Sequence, residues 1–142
     1  MPLISFASYL HELSIRKPDP KASLGIPRKK MPQLKSNEYP ELIAFMRKNG
    51  IGHRRVSVSP KDLKPVQKEF SDHGVTKAID LQTHKKEIII SQDNYVIDGN
   101  HRWLAALNTK QESLDAIQFN GDVKKVMNTI VLFHGVTYKD IY

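Results

Sequence analysis

The run Asp98-Gly99-Asn100-His101-Arg102-Trp103 places a carboxylate, a glycine, an amide, an imidazole, a guanidinium and an indole side by side. It follows Tyr95-Val96-Ile97, which reads as a strand, and it opens a helix on which Trp103, Leu104 and Leu107 share one side. A strand that runs straight into a helix brings several backbone N–H groups to one point, with the positive end of the helix dipole behind them. That geometry attracts phosphate. Gly99 admits a close backbone approach and dihedral angles closed to other residues, while His101 and Arg102 add donors and positive charge. Asp98 could hold Mg²⁺ or take a proton from an attacking hydroxyl. The competing reading is structural: Asp98 caps the helix and Arg102 pairs on the surface. His101 divides in the same way between a functional imidazole and a surface donor. Trp103, the only tryptophan, reads as core packing rather than as a stacking platform for a base.

The elements that position this turn follow from periodicity. Glu87-Ile88-Ile89-Ile90-Ser91 and Tyr95-Val96-Ile97-Asp98 flank the polar Gln92-Asp93-Asn94 and predict a hairpin whose first arm is buried. Upstream, Val56-Ser57-Val58-Ser59 alternates as a short strand, Pro60 or Pro65 forces a turn, and residues 66 to 70 predict a helix. A further helix is expected with Ser36 or Asn37 as its cap and Pro40 in its first turn. Leu42, Ile43, Phe45 and Met46 form its buried stripe and Gly50 its stop. Residues 116 to 119 predict a strand. Val123, Val126, Met127, Ile130 and Phe133 mark a last helix after Gly121-Asp122, ending near Gly135. At the other end of the chain, Phe6, Tyr9, Leu10 and Leu13 behind Ser5 predict a short helix. The stretch from 16 to 35 carries Pro18, Pro20, Pro27 and Pro32 among basic residues and reads as a loop wrapping the domain.

A length of 142 residues suits one globular unit, with residues 1 to 35 packed on a domain formed by 36 to 142. No apolar run approaches the roughly 20 residues of a membrane span, and the N-terminus lacks the pattern of a signal peptide. A cytoplasmic protein is expected. The absence of cysteine excludes disulfides, thiolate metal sites and a cysteine nucleophile. A formal charge of +7 favours polyanionic partners such as nucleotides or DNA. Arg28, Lys29 and Lys30, held between Pro27 and Pro32, are the candidate nucleic-acid contacts, against the bland reading of a solvated basic loop. Lys64, Lys68 and Lys77 could line a phosphate path, whereas His53, His73, His84 and His134 show no metal-ligand spacing.

Residues 88 to 106, from Ile88-Ile89-Ile90 through Asp98-Gly99-Asn100-His101-Arg102-Trp103 to Ala105-Ala106, resemble the core motif of the ParB/sulfiredoxin superfamily. That motif is a hairpin followed by a Gly-x-x-Arg turn opening a helix, and phage-encoded members carry Asp-Gly-His-His-Arg-Trp. Asn100 stands where that form has its first histidine. Val56-Ser57-Val58-Ser59 and Leu63-Lys64-Pro65-Val66-Gln67 resemble the upstream strand and the Leu-x-Pro-x-Gln signature, so the likeness covers about residues 56 to 108. Residues 24 to 33 also resemble a segment that precedes this domain in phage homologues.

The resemblance implies a small α/β (α+β) fold, a mixed sheet with surrounding helices, in which the 99–102 turn faces residues 63 to 69 across a nucleotide cleft. It implies ATP or CTP with Mg²⁺, gripped by Gly99, Asn100, His101, Arg102, Gln67 and Lys68, and a phage origin. Sulfiredoxin activity needs a cysteine in the turn and is excluded. A partitioning ParB role is disfavoured, because Asn100-His101 replaces the Glu-Arg pair of that turn. The free serine kinases of the superfamily use an upstream acid as base, a part that Glu69 or Glu41 would take. Members labelled ParB-like nucleases imply Asp98, His101 and a metal as the centre. The leading expectation is a nucleotide-binding protein that hydrolyses or transfers a phosphoryl group with Mg²⁺ at Asp98. The alternative is a non-catalytic or nuclease-like DNA-binding module, and a third is an interaction protein that keeps the fold without the ligand.

Overall fold

The computed structural model describes residues 32–34, 36–66, 86–133 and 137–138. The expected helix at 6 to 13, the basic triplet Arg28-Lys29-Lys30, and Gln67, Lys68 and Glu69 lie outside the described residues.

Strand β1 (Pro32–Gln33) pairs antiparallel with β7 (Thr137–Tyr138) in a two-stranded sheet. Helix α1 (Tyr39–Lys48) follows a 3-10 turn over Ser36–Glu38. Its cap is therefore Glu38, with no side-chain cap bond, and not the expected Ser36 or Asn37, which the 3-10 turn has drawn into helical backbone. Leu42 and Met46 recur four residues apart and are fully buried, and Tyr39 is buried beside them in the same core. The helix stops at Gly50 as expected. Gly50, at φ +84, donates to the Arg47 carbonyl and Ile51 to the Met46 carbonyl, closing the last turn in the glycine-dependent way while Ile51 plugs into the core.

A five-stranded mixed sheet forms the centre, in the order β2-β6-β4-β5-β3. Its strands are β2 (His53–Val58), β3 (Lys64–Pro65), β4 (Ile88–Ile90), β5 (Tyr95–Asp98) and β6 (Leu114–Phe119). The β4/β5 and β2/β6 pairs are antiparallel, and the β4/β6 and β3/β5 pairs are parallel. Helix α2 (Asn100–Asn108) carries the chain from β5 to β6. Helix α3 (Val123–Ile130) follows β6 and ends earlier than expected; Phe133 still reaches the core, from the turn beyond it.

Alternation along the strands divides the core in two. Ile88, Ile90, Val96, Leu114 and Ala116 pack with Trp103, Leu104 and Ala105 of α2. Ile89, Ile97, Ile117 and Phe119 pack with Leu42 and Met46 of α1 and Val126 and Ile130 of α3. A sheet covered on both faces explains why Ile88-Ile89-Ile90 is an unbroken apolar run. The expected α/β fold, a small mixed sheet with helices around it, is the one observed.

Candidate functional site

The hairpin turn sets the start of β5. Asn94 adopts φ +68, its N–H donates to the Ser91 carbonyl at 3.1 Å, and the Tyr95 N–H is held by Ser91 Oγ at 3.1 Å. Asparagine tolerates this left-handed conformation better than most residues. Between the pairs Ile90↔Val96 and Ile89↔Asp98 the register shifts by one residue, leaving Ile97 as the extra. A bulge of this kind re-aims the side chains that follow it. Strict alternation would send Asp98 to the same side as Val96, toward α2. Its carboxylate instead meets Tyr39, on the α1 side that Ile97 also faces.

Asp98 is 5% exposed. The Tyr39 hydroxyl donates to its Oδ2, and the Tyr39 oxygen in turn accepts from Arg102 Nη2 at 2.7 Å. Arg102 Nη2 also lies 3.5 Å from Asp98 Oδ2, with 16% of its side chain exposed. The backbone N–H groups of Leu34 and Gly99 complete the set around the carboxylate. Burial pushes the Asp98 carboxyl above its usual range. The Tyr39 hydrogen bond is the largest opposing influence, followed by Arg102 and the two backbone donors. Burial first, and then the Asp98 charge, raises Tyr39 well above an ordinary phenol, so its proton stays on the oxygen and the hydrogen bond keeps its direction.

Gly99 is the N-cap of α2 and sits at φ +90, ψ 28, with no side-chain cap bond. A Cβ there would lie 2.5 Å from Ile88 Cγ2 and 2.9 Å from Arg102 Nη2, so glycine is required both by dihedral angle and by space. The first helical bond runs from the Trp103 N–H to the Gly99 carbonyl at 2.9 Å. Trp103 is 2% exposed and its Nε1 donates to the Pro60 carbonyl at 2.7 Å. The tryptophan is core, as the sequence suggested, and it pins α2 to the 3-10 turn over Pro60–Asp62.

Asn100, the first residue of α2, is 6% exposed, and its Oδ1 is buried with no hydrogen-bond partner among the described residues. Such an orphaned acceptor costs about 1–3 kcal/mol unless something donates to it. His101 is partly exposed on the first turn.

The expected cluster is thus brought together in part. Asp98, Gly99, Asn100, His101 and Arg102 form one turn, while Gln67, Lys68 and Glu69 lie outside the described residues. Lys64 is exposed, with its Nζ 4.3 Å over the Tyr95 ring, and Glu41 is exposed in the first turn of α1. Leu34 and Tyr39 were not anticipated. Each lies some sixty residues from Asp98 along the chain, and an aromatic in the first turn of an amphipathic helix carries no signal beyond core packing.

Two consequences follow for what the turn can hold. Mg²⁺ does not fit at Asp98 as placed, because its carboxylate is buried, accepts from Tyr39 and two backbone donors, and has a guanidinium beside it. The start of α2 combines the positive end of the helix dipole, a glycine cap with no side-chain cap bond, and the Arg102 guanidinium, the groups that attract an anion. A groove of about 360 Å³ lies at the opposite end of α2, lined by Pro60, Lys61, Leu107, Lys110 and Glu112, and is separate from this turn. In comparisons with known proteins, the chain matches no family model, no curated protein and no solved structure.

Proposed function

We propose that the chain binds a nucleoside triphosphate, ATP or CTP, with its phosphates at the start of α2. The observation that carries this reading is the uncapped opening at left-handed Gly99, beside an Arg102 held in place from below by Asp98 and Tyr39. A guanidinium fixed in one orientation gives up little freedom when it binds an oxyanion. The buried Asn100 Oδ1 has no partner among the described residues, and the hydroxyls of ribose and the amino group of adenine or cytosine are donors of the kind it lacks. The resemblance of residues 56 to 108 to the ParB/sulfiredoxin superfamily supports the same ligand class.

Within this reading Asp98 is a positioning residue: it orients Arg102 and takes no proton from substrate. Phosphoryl transfer would then draw its base from another carboxylate, and Glu69 is the one the superfamily resemblance offers. His101, partly exposed on the first turn, is the side chain suited to meet a terminal phosphate.

Titration calorimetry with each of the four ribonucleoside triphosphates and Mg²⁺ tests the proposal. Saturable heat is expected with at least one, and tripolyphosphate should bind more weakly because it offers Asn100 no sugar or base donor. Arg102→Lys keeps the charge and loses the planar fork, and it should weaken binding about tenfold or more, a charge-assisted bond being worth about 1.5–3 kcal/mol. Wild-type protein giving no heat with any triphosphate at millimolar concentration would falsify the reading.

A further inference from the structure

From residue 42 to residue 61 the chain carries Arg47, Lys48, Arg54, Arg55 and Lys61 and no aspartate or glutamate. In the sequence these cations look like separate solvated positions. The fold gathers four of them. The glycine-closed end of α1 turns the chain back within a few residues, and Arg47 of its last turn comes close enough to β2 for its charge to act on His53, with Lys48 the next residue along the chain. Among the described strands β2 is the edge of the five-stranded sheet and pairs only with β6.

Register shows how the edge is decorated. His53 and Arg55 lie opposite Phe119 and Ile117, which belong to the core beneath α1 and α3, so these two side chains share that face. Arg54 lies opposite Gln118 and bonds its Oε1 at 3.0 Å, projecting on the other face. Arg47, Lys48, Arg54 and Arg55 are all exposed. Among the described residues the one ion pair here, Arg55 Nε to Glu87 Oε2 at 3.2 Å, is a surface pair with Arg55 60% exposed, and such pairs are worth little and exchange readily. The imidazole of His53 is held below its usual pKa by partial burial and then by the charges of Arg47 and Arg55, which lie near it.

We propose that this edge, with Arg47 and Lys48 at the end of α1 and Arg54 and Arg55 on either side of β2, is a contact surface for the phosphodiester backbone of a nucleic acid. Cations set on both sides of a narrow strand edge can meet successive phosphates of one strand, and arginine forks suit phosphate oxygens. An overall charge of +7 supplies the long-range attraction. A membrane surface fits less well. The described residues from 47 to 55 include no exposed large apolar side chain to insert, since the exposed Val131 and Leu132 lie at the end of α3. The surface is independent of the nucleotide reading, because none of its residues belongs to the turn at Gly99.

Fluorescence anisotropy of a labelled 20-mer duplex and the matching single strand, titrated with the full chain at several salt concentrations, tests this. The wild type should bind at low salt with affinity falling steeply as salt rises. The variant Arg47→Gln/Arg54→Gln/Arg55→Gln should lower affinity at least tenfold and flatten the plot of log K against log salt by about 2–3 units on duplex, each phosphate contact contributing about 0.9. Lys110→Gln/Lys124→Gln/Lys125→Gln removes the same charge elsewhere and should leave that slope nearly unchanged. Equal flattening by both triple variants overturns the proposal, because it would reflect net charge alone. An unchanged slope in the edge variant, or no binding of the wild type at low salt, overturns it as well. So does binding to phosphatidylserine vesicles without binding to nucleic acid. Circular dichroism of each variant confirms the fold, which exposed substitutions should preserve.

Discussion

Two junctions in this chain pass from a strand to a helix through an aspartate and a glycine, in opposite order. Between β6 and α3 the order is Gly121-Asp122. Asp122 sits at the N-cap with extended backbone, and its Oδ1 accepts from the Lys125 N–H at 2.8 Å, so the helix is closed by its own side chain. Between β5 and α2 the order is Asp98-Gly99. The aspartate is the last strand residue, its carboxylate turns to Tyr39 and Arg102, and the cap position falls to a glycine that offers nothing. Exchanging two neighbours leaves one helix start closed by its own side chain and the other with a glycine cap and an Asn100 Oδ1 that has no partner among the described residues.

The largest expected effect separates the two glycines. Gly99→Ala must adopt a left-handed conformation, costing about 1–2 kcal/mol, and must also push Ile88 aside, where overpacking costs about 1–3 kcal/mol. A loss of about 3 kcal/mol in urea denaturation is expected. Gly121→Ala has no positive φ, and its Cβ would meet the flexible Lys125 side chain at 3.2 Å and Val126 Cγ2 at 3.4 Å, close to ordinary contact, so its loss should stay below about 1 kcal/mol. Equal midpoint shifts for the two variants would break the comparison.

The aspartates differ next. Asp98→Asn keeps the shape but leaves Arg102 without its buried anion, and breaking such a pair costs about 3 kcal/mol. Asp122→Asn still caps α3 and should be nearly neutral. Tyr39→Phe removes one donor from Asp98, costs about 1–2 kcal/mol, and lifts the carboxyl further above its usual range. The pH dependence has a definite sign. Asp98 holds its proton more tightly folded than unfolded, so its contribution favours the fold at low pH and is lost as pH rises through the raised folded value. Asp98→Asn should remove that component from a plot of stability against pH.

Much of this junction was legible in the residues themselves. Isoleucine runs bounded by Gln92-Asp93-Asn94 are a hairpin, a glycine between strand and helix marks a special dihedral angle, and a lone tryptophan with leucines at helical spacing is core. The rest depends on contacts far apart in sequence. That Asp98 points at Tyr39 follows from a one-residue register shift at Ile97, and local periodicity cannot encode a bulge whose partner is another strand. Strands β1 and β3, two residues each and containing prolines, have no period to detect. The basic edge was invisible for a related reason, since Arg47 and Arg55 become neighbours only once α1 ends and β2 turns back beside it. Ser36 and Asn37 were chosen as caps from residue type, but the 3-10 turn moved the cap to Glu38.

The smallest expected effect on stability is also the sharpest test of the comparison. Asp122→Ala deletes a side chain that closes its helix and should cost about 1 kcal/mol. Asn100→Ala deletes a buried oxygen that has no partner, which relieves a penalty while losing a few packing contacts, so without ligand its midpoint should move by less than about 0.5 kcal/mol in either direction. If the proposed nucleotide supplies the donor that Oδ1 lacks, the same substitution should weaken triphosphate binding several-fold. Asp122→Ala should leave binding untouched. Denaturation and calorimetry on the two variants therefore give opposite patterns: stability lost and affinity kept at α3, stability kept and affinity lost at α2. An Asn100→Ala protein that is clearly less stable without ligand and binds as the wild type does would show that Asn100 belongs to the scaffold, and the start of α2 would then be as self-contained as the start of α3.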